Sequence, residues 1–243
     1  MTTQPAALSR QPAFEMAYQE RQSRLTTFFR LILVIPPAIL LGLWGFAVFF
    51  TVIISWFALL FTGRYPQSLY DFHAGFERYS AYVAGYALLA TDRWPGFSGS
   101  EDVGYPVQLH LGPPLPVYNR LKVLFRLILM IPVYLIAYAM GIVAEIGAII
   151  AWFVIVVTGR LPYGLYQMLH LGLSYVHRAG PYYLLMTEEW PAFTQAADAR
   201  ALVPREPAGT LEAPEAPSRP ADASTDTGDS FAPPRPPEPP AGS

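Results

Sequence analysis

The sequence has no cysteine in its 243 residues. That excludes disulfides, thiolate metal sites, iron–sulfur clusters and a cysteine nucleophile, and leaves the redox compartment open. Charge is scarce as well: 14% of residues are charged against 53% hydrophobic, where an average soluble domain carries about 25% charged residues. Such a chain has too little polar surface to meet water on all sides. Its net charge of -2 averages a basic membrane-proximal part against an acidic tail and creates no polyanion-binding field, so no nucleic-acid partner is expected. There is no phosphate-binding glycine loop, no nucleophile elbow and no HExxH string. No catalytic, cofactor or metal site is therefore expected, and the chain reads as non-enzymatic. Residues 1–23 form a polar leader without an early apolar stretch and cleavage site, so the first hydrophobic segment is expected to serve as the insertion signal.

What is present is a duplication. Residues 24–97 laid over 120–193 at a constant offset of 96 (126 minus 30) give 28 identities in 74 positions without a gap. The copies read RLTTFFRLILVIP and RLKVLFRLILMIP, then SWFALLFTGRYP and AWFVIVVTGRLP, and finally TDRWPGF and TEEWPAF. A period this long marks a multi-helix module rather than a solenoid repeat of about 20–50 residues. Each copy also opens on a weakly alternating extended segment, 12–16 and 106–110.

The hydrophobicity of each copy predicts membrane passes. Residues 25–62 carry Arg30 as their only charge, and 121–158 carry Lys122, Arg126 and Glu145. As one helix, either run would be about 57 Å long, nearly twice the roughly 30 Å hydrocarbon core. The expected solution is a hairpin: passes at about 25–43 and 45–62 in repeat 1 and about 121–140 and 142–158 in repeat 2, with tight turns near Gly42–Gly45 and Gly141. Pro36 and Pro132 fall in the first pass of each copy and predict bends. Every Lys and Arg lies outside these turns. With each hairpin returning to its starting side, the positive-inside rule makes that side cytoplasmic and places both termini there.

Gly63 and Gly159 suit helix ends, Arg64 and Arg160 suit headgroup depth, and Pro66 and Pro162 suit new helix starts. The following stretches, about 66–90 and 162–179, show spacings of three and four and predict an amphipathic helix on the interface; a third pass per unit is the rival reading. Trp94-Pro95 and Trp190-Pro191, with Phe97 and Phe193, read as interfacial anchors. Residues 98–119 connect the repeats. From 194 to 243 the composition turns to Ala, Pro, Glu, Asp, Ser and Thr, with the string PPRPPEPP, which predicts a disordered tail that is either a spacer or a polyproline II ligand.

Few residues carry candidate chemistry. Glu145 is a possible intramembrane polar site, since an acid in an apolar run is a functional candidate by default, but it is expected near the external turn and repeat 1 has Phe49 there. His73 and Glu77 stand four apart, yet repeat 2 has Leu169 and Leu173, so a polar helix face is the simpler reading. His170 and His177 make no convincing metal set. The arginines shared by both copies, Arg24/Arg120, Arg30/Arg126 and Arg64/Arg160, are possible contacts to anionic lipid headgroups, with topology and snorkelling as the plainer role.

Together, RLxxxFRLILxIP, the WF pair before TGRxP, the following LY and the closing T[DE]xxWPxF resemble the bacterial family called domain of unknown function 4389, integral membrane proteins that often carry the module in tandem. The second proline of the usual aromatic-Pro-Pro-Phe ending is replaced by Gly96 and Ala192. The resemblance implies an architecture and no activity, cofactor or catalytic residue.

The expectation is an all-α, multi-pass protein of a bacterial inner membrane with two tandem repeats and about four passes. Its expected role is a scaffold or accessory subunit, partnered by the bilayer and by a membrane protein or further copies of itself. The alternative is a small transporter or channel component.

Overall fold

The computed structural model describes residues 12–192. The order of elements is β1 (Ala13–Met16), α1 (Arg24–Phe28), α2 (Arg30–Leu33), α3 (Ile35–Thr62), α4 (Gln67–Ala87), β2 (Val107–His110), α5 (Arg120–Leu124), α6 (Arg126–Thr158) and α7 (Tyr163–Tyr183). The fold is mostly helical, and the series strand, short helix, long apolar helix, 21-residue helix occurs twice. The two extended segments expected at the start of each copy are β1 and β2, and they pair with each other antiparallel, Phe14 opposite Leu109 and Met16 opposite Val107.

The expected hairpins are corrected. Gly42, Gly45 and Gly141 lie inside continuous helix, so each repeat has one long apolar rod, Arg30–Thr62 and Arg126–Thr158, of 33 residues each. Two helices, rather than four, are long and apolar enough to cross a membrane among the described residues. In a helix interior the cost of a glycine is only about 1 kcal/mol, and apolar residues on both sides favour continuing the hydrogen-bond ladder over breaking it inside an apolar run. The chain reverses instead at TGRxP, where Gly63 and Gly159 take φ of 68° and 73°, the left-handed cap that an L side chain resists. Pro36 falls in the first turn of α3, just after an interruption at Val34, whereas α6 continues through Pro132.

The return strokes are α4 and α7. Along α3 and α4 the contacts run antiparallel: His73 meets Thr51 (Nε2 to Oγ1, 2.9 Å), and the Tyr79 hydroxyl donates to the Pro37 carbonyl at 3.3 Å. Trp44 packs on Phe72, Phe76 and Tyr79. Small residues let α6 and α7 approach closely: a Cβ at Gly172 would lie 2.5 Å from the Met140 carbonyl oxygen, and one at Gly147 would lie 3.3 Å from Met168. The helices expected to be amphipathic bury more than half of their residues within the chain. Their polar positions looked like a solvated face because the cover comes from elsewhere in the chain.

That cover is the sheet and the connector. A Cβ at Gly85 would meet Val107 of β2 at 2.7 Å, the Tyr105 ring lies 4.5 Å from that of Tyr82, and Phe14 of β1 stacks on His177 of α7 at 5.7 Å. The sheet packs on α4 and α7, and these pack on α3 and α6. The result is three layers: the sheet and connector, then α4 with α7, then α3 and α6. A core of Phe14, Tyr82, Val107, Leu109, Ile155 and Leu169 runs through them.

The two repeats interlock at their ends. The Gln22 N–H donates to the Gly159 carbonyl at 3.1 Å, and at the equivalent place the Tyr118 N–H donates to Gly63 at 2.9 Å. The side chains of Ser23 and Asn119 cap α1 and α5, while their backbone N–H groups donate to the carboxylates of Asp92 and Glu188. Thus the start of each repeat sits at the end of the other's long helix, and α3 and α6 run in opposite directions.

Candidate functional site

The shared arginines separate into two kinds. Arg30 and Arg126 are buried, 2% and 4% exposed, and their guanidinium groups are engaged within the chain. Arg30 donates to the Thr91 carbonyl at 2.8 Å and the Asp92 carboxylate at 2.5 Å, and lies over the Tyr86 ring. Arg126 donates to the Tyr182 and Thr187 carbonyls over the Tyr182 ring. Each fastens the chain leaving α4 or α7 through the carbonyl of Thr91 or Thr187, and Arg126 also takes the Tyr182 carbonyl in the last turn of α7. These contacts also hold Leu89 and Leu185 at φ of 63° and 62°, a conformation that costs about 1–3 kcal/mol per residue and persists only where surroundings impose it. Arg24, Arg64, Arg120 and Arg160 are exposed at the rod ends. Arg24 donates to the Thr158 carbonyl at 3.1 Å, Arg160 lies 3.7 Å from Glu20, and Arg120 packs beside Gly63. Basic residues from both repeats therefore gather at each end of the rod pair.

Glu145 is not beside a turn. It stands exposed within α6 and lines a groove of about 430 Å³ with Arg30, Leu31, Leu88, Ile149 and Trp152. A second groove of about 390 Å³ is lined by Ile53, Trp56, Arg126, Leu127 and Leu185. Offset by 96, Arg30, Leu31, Leu89, Ile149, Trp152 and Phe153 of the first correspond to Arg126, Leu127, Leu185, Ile53, Trp56 and Phe57 of the second. The grooves are one feature made twice, each walled by both repeats. Glu145 is the acid peculiar to the first.

The acid and imidazoles of the inner helices are buried, contrary to the polar-face reading. His73 is fully enclosed. Its Nδ1 meets the Tyr65 hydroxyl at 2.6 Å, that hydroxyl donates to the Leu184 carbonyl at 2.9 Å, and its Nε2 meets the Thr51 hydroxyl. Burial lowers the His73 pKa to about 4, so the ring is neutral and structural. Glu77 is 6% exposed, and its carboxyl fills the space a side chain at Gly180 of α7 would take. Burial raises its pKa to about 8, which keeps it protonated at neutral pH. His177, stacked on Phe14, is lowered to about 4 by the same cause. The pairing of Glu77 with Gly180 was not legible in the sequence, although a one-sided replacement was: repeat 2 has Leu173 at the position of Glu77, and repeat 1 has Ala84 at that of Gly180.

Among the described residues no group of three or more His, Cys, Asp or Glu is placed to hold a metal ion. The Trp94 ring packs on Tyr86 and the Trp190 ring on Tyr182. Phe193, the proline-rich tail and the first part of the polar leader lie outside the described residues.

No curated protein and no solved structure matches the chain. A family model does match, twice, over residues 24–98 and 120–195, more than half of the sequence. The strings common to both repeats carry the reciprocal caps, arginine fasteners and left-handed turns described above. The chain belongs to the family described as domain of unknown function 4389 and carries its module in tandem.

Proposed function

We propose that the protein is a non-enzymatic scaffold or accessory subunit of a bacterial cell membrane, with its termini on the cytoplasmic side. The observation that carries this reading is the exposure of the two rods. They have mean hydropathies of 2.4 and 2.5, and only 11% and 28% of their most apolar stretches are buried, whereas a core helix of a soluble protein is mostly enclosed. Side chains such as Phe46, Phe49, Phe50, Phe57 and Phe61 stand open along α3, a continuous apolar surface that calls for lipid or a partner. The adjacency of the two described ends supports a common side for the termini, since Pro12 and Thr187 line one small cavity.

Purification in mild detergent followed by crosslinking mass spectrometry tests the scaffold role. Reproducible neighbours or a defined oligomer are expected. A strictly monomeric protein with no recurring neighbour would overturn it. A transport role draws on Glu145, but that carboxylate faces outward beside a groove rather than into a path through the fold, so equal flux of wild type and Glu145→Gln proteoliposomes is expected.

A further inference from the structure

We infer that α3 and α6 do not cross the bilayer but lie sunk in one leaflet, making the three-layered body a monotopic protein whose ligand is an anionic lipid surface. The inference rests on the membrane reading above and adds how the protein sits.

Three independent observations point the same way. The first is the layering. On the sheet and connector side lie charged and polar groups: Glu15 beside His110 on the sheet, Glu101 of the connector paired with Arg78 of α4 at 3.2 Å, and Arg93 paired with Asp102 at 2.8 Å. If the rods stood upright across the membrane, this face would lie sideways against acyl chains, where charged groups are costly and backbone outside helices needs internal partners. With the rods flat, the charged face turns to water and the apolar faces to the hydrocarbon.

The second is length. Each rod of 33 residues is about 50 Å long and would have to tilt beyond about 50° to fit a core of about 30 Å, outside the usual range of up to about 40°. Exposed apolar residues extend from Leu25 to Phe61 and from Leu121 to Val157, so neither rod has a polar extension to leave in water. A helix about 10–12 Å thick fits within one leaflet of about 15 Å at any length.

The third is charge. Arg24 and Arg160 stand at one end of the antiparallel rod pair, and Arg64 and Arg120 at the other. A spanning pair would expose one basic cluster on each side, against the positive-inside bias. A recumbent pair brings both to one layer of anionic headgroups, where each basic residue contributes about 1 kcal/mol of attraction. The same posture leaves Glu145 at most one leaflet from headgroups and water.

The absence of native cysteine permits a direct test in the full chain. Single cysteines are introduced as Glu15→Cys on the sheet face, Ala17→Cys and Ser68→Cys near opposite rod ends, and Gly42→Cys in mid-rod, where an added Cβ meets nothing within 4 Å. A membrane-impermeant maleimide is applied to intact spheroplasts and to inverted vesicles. The expected result is that Glu15→Cys, Ala17→Cys and Ser68→Cys label from the cytoplasmic side only, and Gly42→Cys from neither. Labelling of Ala17→Cys and Ser68→Cys from opposite sides, with the protein still extracted only by detergent, would overturn the inference and spare the membrane reading. Recovery in the soluble fraction would overturn both. Nitroxide depth measurement at Phe46→Cys and Phe57→Cys provides a second readout: near-equal depth in one leaflet is expected, and a depth profile reaching the opposite headgroups would refute it.

Discussion

The indole N–H of Trp56 donates to the carbonyl of Val123 at 2.9 Å, and 96 residues further on the indole of Trp152 donates to Thr27 at 3.1 Å. Each tryptophan thus reaches from one repeat into the short helix that opens the other, just before the interruptions at Phe125 and Phe29. Neither repeat has its own start packed on its own rod, so the duplicated module is complete only as a pair.

Replacing either tryptophan by phenylalanine should keep most of the packing and remove one hydrogen bond, at about 1 kcal/mol. Trp56→Phe and Trp152→Phe are expected to lower the melting temperature in detergent by a few degrees each, and by similar amounts. A silent Trp152→Phe beside a damaging Trp56→Phe would show that the clasp is not reciprocal.

Glu77 should give the protein a pH-dependent stability of defined sign. Its folded pKa is raised to about 8 from 4.5, so its favourable contribution is full below 4.5 and is lost as pH rises through 8. His73 and His177, depressed to about 4 from 6.5, act oppositely: their contribution is present above 6.5 and is lost as pH falls toward 4. Between pH 6.5 and 8 Glu77 therefore dominates, and stability should fall by up to about 1.4 kcal/mol per pH unit. Thermal melts of Glu77→Gln across that window should be nearly flat.

The contact of Glu77 with Gly180 can be tested by copying its counterpart. Gly180→Ala alone should place a methyl group into the Glu77 carboxyl and cost about 1–3 kcal/mol by overpacking. Since the equivalent positions hold Leu173 and Ala84, the double variant Glu77→Leu with Gly180→Ala should recover much of that loss. A double variant as unstable as the sum of its singles would mean that the two sites do not touch.

Gly42 distinguishes a continuous rod from a hairpin turn. In mid-helix with open space around it, Gly42→Ala should stabilise by about 0.5–1 kcal/mol. Gly172→Ala should do the reverse, because its Cβ would press on the Met140 carbonyl and on Ala144. Chemical denaturation in micelles checks both, and a destabilised Gly42→Ala would return the chain to a turn at that position.

Much of this protein was decided locally and could be read directly from the sequence. The duplication, the apolar runs, the left-handed glycines at TGRxP and the short strands all follow from composition, periodicity and the conformational freedom of single residues. Where an apolar run doubles back is a different kind of question. Gly42, Gly45 and Gly141 are compatible with either a turn or a helix, and the choice falls to what packs alongside: α4 returns along α3 and α7 along α6. The fate of polar residues was non-local for the same reason. Arg30, Arg126, His73 and Glu77 sit in strings that suit headgroups or a solvated face, and it is the opposite repeat, the sheet and the chain after each inner helix that enclose them. The sequence alone determined that there are two modules and that they are apolar. Only the tertiary structure decided that they interlock end to end, because the groups completing each module lie about a hundred residues away and leave no local signal.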